Sequence, residues 1–165
     1  RADIARSIGM KIHVYDPYVR LTEKGTVFHE SVESLFSTCT HVSIHCFLSE
    51  ETRHLVDYEM ISLMPQKGED GNLCGNHIVN CARGGIIDEV GLHRALTDGA
   101  LATASLDVFE VEPAIKSNLL QLDSFQATPH IGASTKEAQS RIGNEIVSIV
   151  RAHNKGEIPI SCLNK

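Results

Sequence analysis

The sequence lacks several features that mark whole classes of protein. It has no run of Lys or Arg and a net charge of −6 at pH 7, which argues against a nucleic-acid partner. It has no apolar run of membrane-spanning length and no signal-peptide pattern. Its five cysteines have no regular spacing, in a chain too long to need disulfide staples. We therefore expect a cytoplasmic protein that binds neither nucleic acid nor membrane.

The features that are present fit an ordinary globular domain. The chain has 165 residues, of which 42% are hydrophobic and 22% charged, enough for one domain with a real core. We expect that domain to cover residues 1–153, and residues 154–165 to be a connection leading out of it. The chain begins in helical rhythm, with Ile4 and Ile8 on one face and Gly9 as the stop. We therefore expect a fragment cut within a helix.

Strand and helix patterns alternate along the chain. Ser31 and Asp57 are the predicted caps of two helices, and Ser134 or Thr135 is the predicted cap of the last. The strand patterns occupy residues 10–16, 41–48, 77–79, 101–109 and 125–132, and the later helical patterns occupy residues 32–36, 58–64, 89–96 and 135–153. This alternation predicts an α/β fold with a doubly wound parallel sheet.

Four further expectations follow from composition. Residues 19–30 are polar and irregular, and residues 66–76 form a Gly-rich surface loop. Residues 101–109 are small and apolar on both faces, as in a strand buried within a parallel sheet. The last helix carries an apolar stripe, which consists of Ile142, Ile146, Val147, Ile149 and Val150.

A group of cysteines and histidines lies along the predicted strand at residues 41–48. Cys39, His41, His45 and Cys46 fit no zinc spacing, and the two-residue period puts Cys46 on the opposite face from His45. We predict no metal site from this sequence.

Polar or ionisable residues follow the predicted strands at the edge where parallel sheets bind ligands. They are Asp16, Arg83, Asp107, Glu112 and His130. A cation can hold a substrate carboxylate, a His can move a proton near neutral pH, and a carboxylate can orient that His. An Arg at the end of a buried strand is costly unless it meets an anion. The alternative for Arg83 is an ordinary strand-to-helix turn with a solvated side chain.

Three motifs resemble the D-isomer-specific 2-hydroxyacid dehydrogenases. They are residues 80–85 (Asn-Cys-Ala-Arg-Gly-Gly), residues 107–109 (Asp-Val-Phe) with Glu112 before Pro113, and residues 128–135 (Thr-Pro-His-Ile-Gly-Ala-Ser-Thr). With residues 136–139 added, the last motif is most similar to the D-3-phosphoglycerate dehydrogenase branch of that family. The resemblance covers residues 4–164, and it implies a Rossmann-like NAD-binding domain.

The resemblance implies a role for each strand-end residue. Arg83 would bind the substrate carboxylate and polarise its carbonyl, His130 would be the acid/base on the 2-hydroxyl, and Glu112 would pair with His130. Glu112 is preferred over Glu110 because the family Glu directly precedes Pro. Asp16 would bind the adenosine ribose, which favours NAD over NADP. The other implied cofactor contacts are Cys46, Cys81, Ala82, Arg83, Asp107, His130, Gly132 and Ala133.

The resemblance also sets expectations for the whole protein. It implies oxidation of 3-phosphoglycerate to 3-phosphohydroxypyruvate, as in serine biosynthesis, by a homodimer or larger homo-oligomer. The alternatives are a glyoxylate or hydroxypyruvate reductase and a non-enzymatic, NAD-sensing module similar to a corepressor. The Gly-rich phosphate loop of the family is expected before Arg1, and the substrate domain is also outside this sequence. We expect these residues alone to bind NAD weakly, to have no turnover, and to leave an edge or gap in the sheet.

Overall fold

The chain folds as two compact units, which meet in sequence between Pro129 and His130. The structure, a computed structural model, describes residues 2–18, 24–159 and 161–162. The two units are defined by the contacts within each of them. They do not show where the domain ends, so the expected end at residue 153 stays a prediction. Among the described residues, no helix is long and apolar enough to cross a membrane.

Short strands and helices alternate through the first unit, and one long helix dominates the second. The elements, in chain order, are α1 Ala2–Ser7, β1 Ile12–Val14, β2 Thr26–Phe28, α2 Val32–Phe36, β3 His41–Ile44, α3 Tyr58–Ser62, β4 His77–Asn80, α4 Glu89–Thr97, β5 Thr103–Leu106, the 3-10 helix Asn118–Gln121, β6 Phe125–Ala127 and α5 Lys136–Asn154.

All strands of the first unit pair in parallel. The strands β1 and β2 form one small sheet, and a second sheet has the order β3-β4-β5-β6. This parallel sheet with its connecting helices confirms the predicted α/β class. Among the described residues, the terminal strands β1, β2, β3 and β6 each pair with one strand; the expected gap in the sheet stays a prediction.

The helices begin where the sequence places capping side chains. Ser31 accepts a hydrogen bond from Ser34 N, and Asp57 accepts one from Met60 N. Asp88 caps α4 in the same way, through Val90 N. A side-chain oxygen at the N-cap satisfies an amide that has no partner within the helix, so these starts are encoded locally.

The core lies on one face of the larger sheet. Alternation in β3 buries Val42 and Ile44 against the helices and leaves His41 and Ser43 exposed. The helices contribute the other half of the core, which includes Phe36, Ile61, Leu92, Ala95 and Leu119. The prediction that β5 is buried on both faces is wrong, because Thr103 is exposed and Ser105 is half-buried.

The prediction of an irregular segment at residues 19–30 is also wrong in part. Residues 26–28 form β2, where Val27 pairs with His13 of β1; residues 19–23 lie outside the described part of the chain. The strand has only three residues, and its partner lies far away in sequence. Pairing with β1 stabilises this strand, so its own composition gives a weak signal.

The second unit consists mainly of α5. Thr135 caps this helix by accepting a hydrogen bond from Ala138 N, which confirms one of the two predicted caps. The predicted apolar stripe is present, but no residue of α5 is buried, and Ile146 is 55% exposed. Among the residues of this unit that the structure describes, α5 is the one long element, so none of them forms a second helix or strand that covers the stripe.

Candidate active site

A cleft of about 400 Å³ opens at the carboxyl ends of β4, β5 and β6. In parallel sheets this edge is where ligands bind. The cleft is lined by Val79, Cys81, Ser105, Leu106, Asp107, Gln126, Ala127 and Thr128. Cys81 and Asp107, both predicted from the sequence as cofactor contacts, therefore line one space.

The turn after β4, at residues 81–85, is shaped by the buried side-chain amide of Asn80. It is called the Arg83 turn below. Asn80 is only 1% exposed, its Oδ1 accepts a hydrogen bond from Ala82 N at 2.9 Å, and its Nδ2 donates to Arg83 O at 2.9 Å. One side chain thus satisfies a donor and an acceptor of a backbone that has left the sheet. Asn80 was not predicted as a site residue, although its position at the end of the strand could have indicated it.

The same turn packs against the loop after β5. A Cβ on Gly84 would lie 1.8 Å from the Phe109 carbonyl oxygen, so only glycine allows this approach. Gly85 follows with φ 81°, a value that also favours glycine. The two loops that carry Arg83 and Glu112 are therefore joined by backbone contact.

Arg83 differs from the expectation of a desolvated guanidinium. The side chain is exposed, and its Nη1 donates a hydrogen bond to Ala82 O at 2.6 Å. No carboxylate of the described residues forms an ion pair with it. Because the guanidinium of Arg83 is solvated, it does not need an anionic partner to offset a cost of burial. Its remaining N–H groups are oriented at the surface, where an incoming carboxylate can reach them.

Asp107 is the buried acid of the cleft. It is 4% exposed and accepts a hydrogen bond from the Thr128 hydroxyl. Its backbone N–H donates to Asn80 O at 3.0 Å, which links the ends of β5 and β4. A carboxylate has about four acceptor positions, so one that accepts from a hydroxyl can also accept from a ligand amide. Thr128, at the end of β6, is a cleft residue that was quoted in a motif but not predicted as a contact.

The structure separates the roles of Glu110 and Glu112. Glu110 accepts a hydrogen bond from Glu89 N and lies 3.2 Å from His54 Nε2, while Glu89 accepts from Glu110 N. Burial, as the largest cause, raises the pKa of Glu89. Glu112 instead accepts from Phe109 N at 3.0 Å, which places its carboxylate on the loop beside the Arg83 turn. The choice of Glu112 over Glu110 as the partner of His130 stays a prediction.

Four predicted cofactor contacts of the first unit do not line this cleft, namely Asp16, Cys46, Ala82 and Arg83. Asp16 follows β1, is exposed and accepts a hydrogen bond from Tyr18 N at 2.8 Å. Cys46 follows β3 and is half-buried, and burial raises the pKa of its thiol. Both lie beyond the carboxyl end of a parallel strand, as predicted for Asp16. Cys46 was predicted to lie within a strand at residues 41–48, but β3 ends at Ile44.

The other predicted residues belong to the second unit. His130 is exposed and has φ 54°, a left-handed conformation that is uncommon for a residue with a side chain. Gly132 and Ala133 lie in the turn before α5, where the Ala133 carbonyl accepts a hydrogen bond from Gln139 Nε2 at 2.8 Å. Unusual backbone at His130 is consistent with a functional position.

The parallel sheet and its cleft define a domain of the nucleotide-binding α/β class. Comparison with known proteins gives the family. The family model described as D-isomer specific 2-hydroxyacid dehydrogenase, NAD binding domain, matches residues 1–132. The chain belongs to the D-isomer specific 2-hydroxyacid dehydrogenase family, and the matched region is its NAD binding domain.

Individual relatives agree with this assignment. A hydroxypyruvate reductase from Thermotoga maritima is 45% identical over 146 residues, which are 87% of this chain and 45% of that protein. A D-3-phosphoglycerate dehydrogenase from Bacillus subtilis is 38% identical over 165 residues, which are 99% of this chain and 30% of that protein. The chain therefore spans less than half the length of these curated relatives.

A solved structure gives the same fold. The crystal structure of a D-isomer specific 2-hydroxyacid dehydrogenase from Polaromonas sp. aligns with a TM-score of 0.86 at 30% sequence identity. The alignment covers 96% of this chain and 48% of that one. The predicted Rossmann-like fold is thus confirmed.

Proposed function

We propose that the full-length protein is a cytoplasmic, NAD-dependent dehydrogenase of 2-hydroxy acids. The first candidate reaction is the oxidation of 3-phosphoglycerate to 3-phosphohydroxypyruvate, as in serine biosynthesis. One observation carries the proposal. The Arg83 turn packs through Gly84 against the loop that bears Glu112, beside a cleft at the carboxyl edge of the sheet.

The residues of the cleft fit a nicotinamide cofactor. The buried Asp107 carboxylate can accept a hydrogen bond from an amide, and Cys81 and Ala127 offer small lining groups for a flat ring. Asp16 would accept hydrogen bonds from ribose hydroxyls and would repel a 2′-phosphate, so we propose NAD in preference to NADP. Bound NAD would supply the hydride acceptor for oxidation and, when reduced, the donor for the reverse reaction.

Arg83 would select and orient the substrate. Its guanidinium can bind a carboxylate through two parallel N–H donors, a geometry that fixes the adjacent carbon. The same positive charge would stabilise the developing negative charge on the 2-oxo oxygen when the reaction runs toward the hydroxy acid. The exposed position of Arg83 leaves it accessible for this purpose.

His130 and Glu112 would handle the proton. In the oxidation, His130 would take the proton of the 2-hydroxyl, and in the reduction it would return it. The carboxylate of Glu112 would favour the protonated imidazole and set its tautomer. Membership in the family supports this division of roles.

A second candidate substrate is hydroxypyruvate. The Thermotoga maritima relative, a hydroxypyruvate reductase, is 45% identical to this chain, whereas the Bacillus subtilis D-3-phosphoglycerate dehydrogenase is 38% identical but matches along 99% of the chain. Both substrates share the 2-hydroxy or 2-oxo acid group that Arg83 would bind. They differ at the far end, where only one carries a phosphate.

Steady-state kinetics of the full-length protein decides between the two. We expect kcat/KM for oxidation of 3-phosphoglycerate to exceed that for oxidation of D-glycerate, the hydroxy acid that corresponds to hydroxypyruvate. The opposite order would assign the protein to the hydroxypyruvate reductases. Absence of turnover with either acid and either cofactor would contradict the proposed function.

The choice of cofactor is tested in the same assay. We expect Asp16→Ala to weaken the preference for NAD over NADP by about tenfold, because a carboxylate–hydroxyl hydrogen bond and a charge repulsion are both lost. Asp123→Ala, which replaces another exposed Asp, is the control and should leave the preference unchanged. An unchanged preference in Asp16→Ala would contradict the role of Asp16.

A further inference from the structure

Two histidines and a cysteine meet in the first unit outside the candidate active site. His13 Nδ1 and His29 Nε2 are 2.8 Å apart, and their ring centroids are separated by 5.1 Å. The ligand atoms of His13, His29 and Cys39 all lie within 4.8 Å of one another, and all three residues are half-buried. This cluster is called the His-Cys cluster below.

The fold brings these residues together from three separate segments. His13 lies in β1 opposite Val27 of β2, so the two-residue period puts His29 on the same face as His13. Cys39 follows α2, where its backbone N–H donates to Leu35 O at 2.9 Å. Sequence spacing had grouped Cys39 with His41 instead, and the long-range pairing of β1 with β2 explains why spacing missed the true neighbours.

A hydrogen bond orients one of the rings. His29 Nδ1 lies 2.8 Å from the Ser34 hydroxyl, which turns Nε2 toward His13. Histidine ligands of metal ions commonly bind an oxygen through the second ring nitrogen in this way.

The donor set has a specific chemical preference. Two imidazole nitrogens and one sulfur suit a borderline-soft divalent cation such as Zn²⁺, and not a hard cation such as Mg²⁺ or Ca²⁺. With bonds of about 2.0–2.3 Å, tetrahedral zinc places its donor atoms roughly 3.3–3.7 Å apart. The two nitrogens at 2.8 Å would separate by only about half an ångström to reach this spacing.

We propose that His13, His29 and Cys39 bind a zinc-class divalent cation, with a fourth coordination position open to water or another ligand. Binding would move the proton shared by the two imidazoles to the other ring nitrogen of the histidine that carries it, and would release the thiol proton of Cys39 to solvent. The cation would join β1, β2 and the segment after α2.

Another cluster in the same unit is a weaker candidate. His54, Asp88 and Glu110 also place ligand atoms within 4.8 Å of one another. Their carboxylates already serve the backbone, because Asp88 caps α4 and Glu110 accepts from Glu89 N. A cation at this site would compete with those hydrogen bonds. Only the His-Cys cluster contains a sulfur ligand, that of Cys39, so a signal specific for metal–sulfur bonding distinguishes the two clusters.

The first test needs no substitution. The full-length protein is reduced, freed of metal with a chelator and titrated with Co²⁺, which substitutes for Zn²⁺ and absorbs light. We expect saturable binding with a thiolate-to-cobalt charge-transfer band that added Zn²⁺ abolishes. Saturation without such a band would contradict ligation by Cys39.

The second test compares two cysteines of the same protein. Cys39 belongs to the cluster, whereas Cys74 is exposed and lies outside it. Alkylation followed by peptide mass mapping should show that Zn²⁺ slows the reaction of Cys39 by at least about tenfold. The rate at Cys74 should not change. Protection of neither cysteine, or of both equally, would overturn the proposal.

The third test uses matched variants. Competition with a chromophoric chelator should show that Cys39→Ser weakens Zn²⁺ binding by about 100-fold or more, and Ser34→Ala by about tenfold. Cys74→Ser should bind as the unchanged protein does. The shift in Tm on adding Zn²⁺ separates loss of the site from loss of the fold, because each variant is compared with its own metal-free form. Unchanged affinity in Cys39→Ser, with loss in Glu110→Gln, would place the cation in the other cluster and contradict the proposal.

Discussion

The two units of the chain hold their candidate catalytic residues in different ways. In the first unit, the Arg83 turn is fixed by the buried Asn80 and by backbone contact at Gly84. In the second, His130 is exposed at the start of a segment whose helix buries no residue. Packing in the first unit therefore ties site geometry to stability, whereas substitutions in the second unit should lower stability much less.

The largest contrast comes from one substitution made in each unit. Gly84→Ala would put a Cβ 1.8 Å from the Phe109 carbonyl oxygen, so we expect a loss of about 3 kcal/mol of unfolding free energy. Gly143 lies within α5 with nothing within 4 Å of the added Cβ, so Gly143→Ala should stabilise by up to about 1 kcal/mol. Denaturant unfolding of the full-length variants measures both. Equal effects would remove the distinction between the units.

A smaller effect is expected from the polar contacts of the two turns. Asn80→Asp replaces the donor to Arg83 O with a buried carboxylate, so we expect a loss of about 2 kcal/mol. The exposed Gln139 makes a comparable bond to Ala133 O, and Gln139→Ala should cost less than about 1 kcal/mol. Denaturant midpoints test this order. If Gln139→Ala lowered the free energy of unfolding more than Asn80→Asp does, the second unit would depend on this turn more than the exposure of Gln139 indicates.

The smallest expected effect is on the pH dependence of stability. Burial first, and then the charge of His77, lowers the pKa of His41, and the two rings lie 4.5 Å apart. Folding therefore disfavours the protonated ring of His41. The contribution of the neutral ring to the free energy of unfolding is present above the unfolded pKa of about 6.5 and is lost as pH falls below it.

The His77→Gln variant tests this contribution. It should make the fall in unfolding free energy below about pH 6.5 less steep, because one cause of the lowered pKa is removed. His153→Gln, in the exposed end of α5, should not change the slope. A steeper fall in His77→Gln would contradict the sign of the effect.

Much of the fold could be predicted because its signals are local. Ser31 and Asp57 cap the helices that the sequence places after them, since a side-chain oxygen reaches an amide only a few residues away. The parallel class followed from the alternation of strands and helices. Strand ends were placed too far along the chain: β3 ends at Ile44, where its pairing with Asn80 of β4 ends.

The features that could not be predicted depend on contacts between distant segments. The pairing of β1 with β2 creates both the missed strand and the His-Cys cluster. The exposure of Arg83 and the engagement of Glu110 with Glu89 depend on how loops meet at the sheet edge. Composition at one position carries no information about such neighbours. Arg83 and Glu112 were predicted as site residues because the order and spacing of their motifs resemble a family, and their roles stay predictions.

The most direct test of the proposed role of Arg83 compares two substrates that differ only in the carboxylate. The full-length protein and Arg83→Ala would be assayed for reduction of hydroxypyruvate and of dihydroxyacetone, in which a hydroxymethyl group replaces the carboxylate. We predict that Arg83→Ala lowers kcat/KM for hydroxypyruvate by about 100- to 1,000-fold and lowers that for dihydroxyacetone much less, because only stabilisation of the oxo oxygen is lost there. An equal fall for both substrates would contradict carboxylate binding by Arg83.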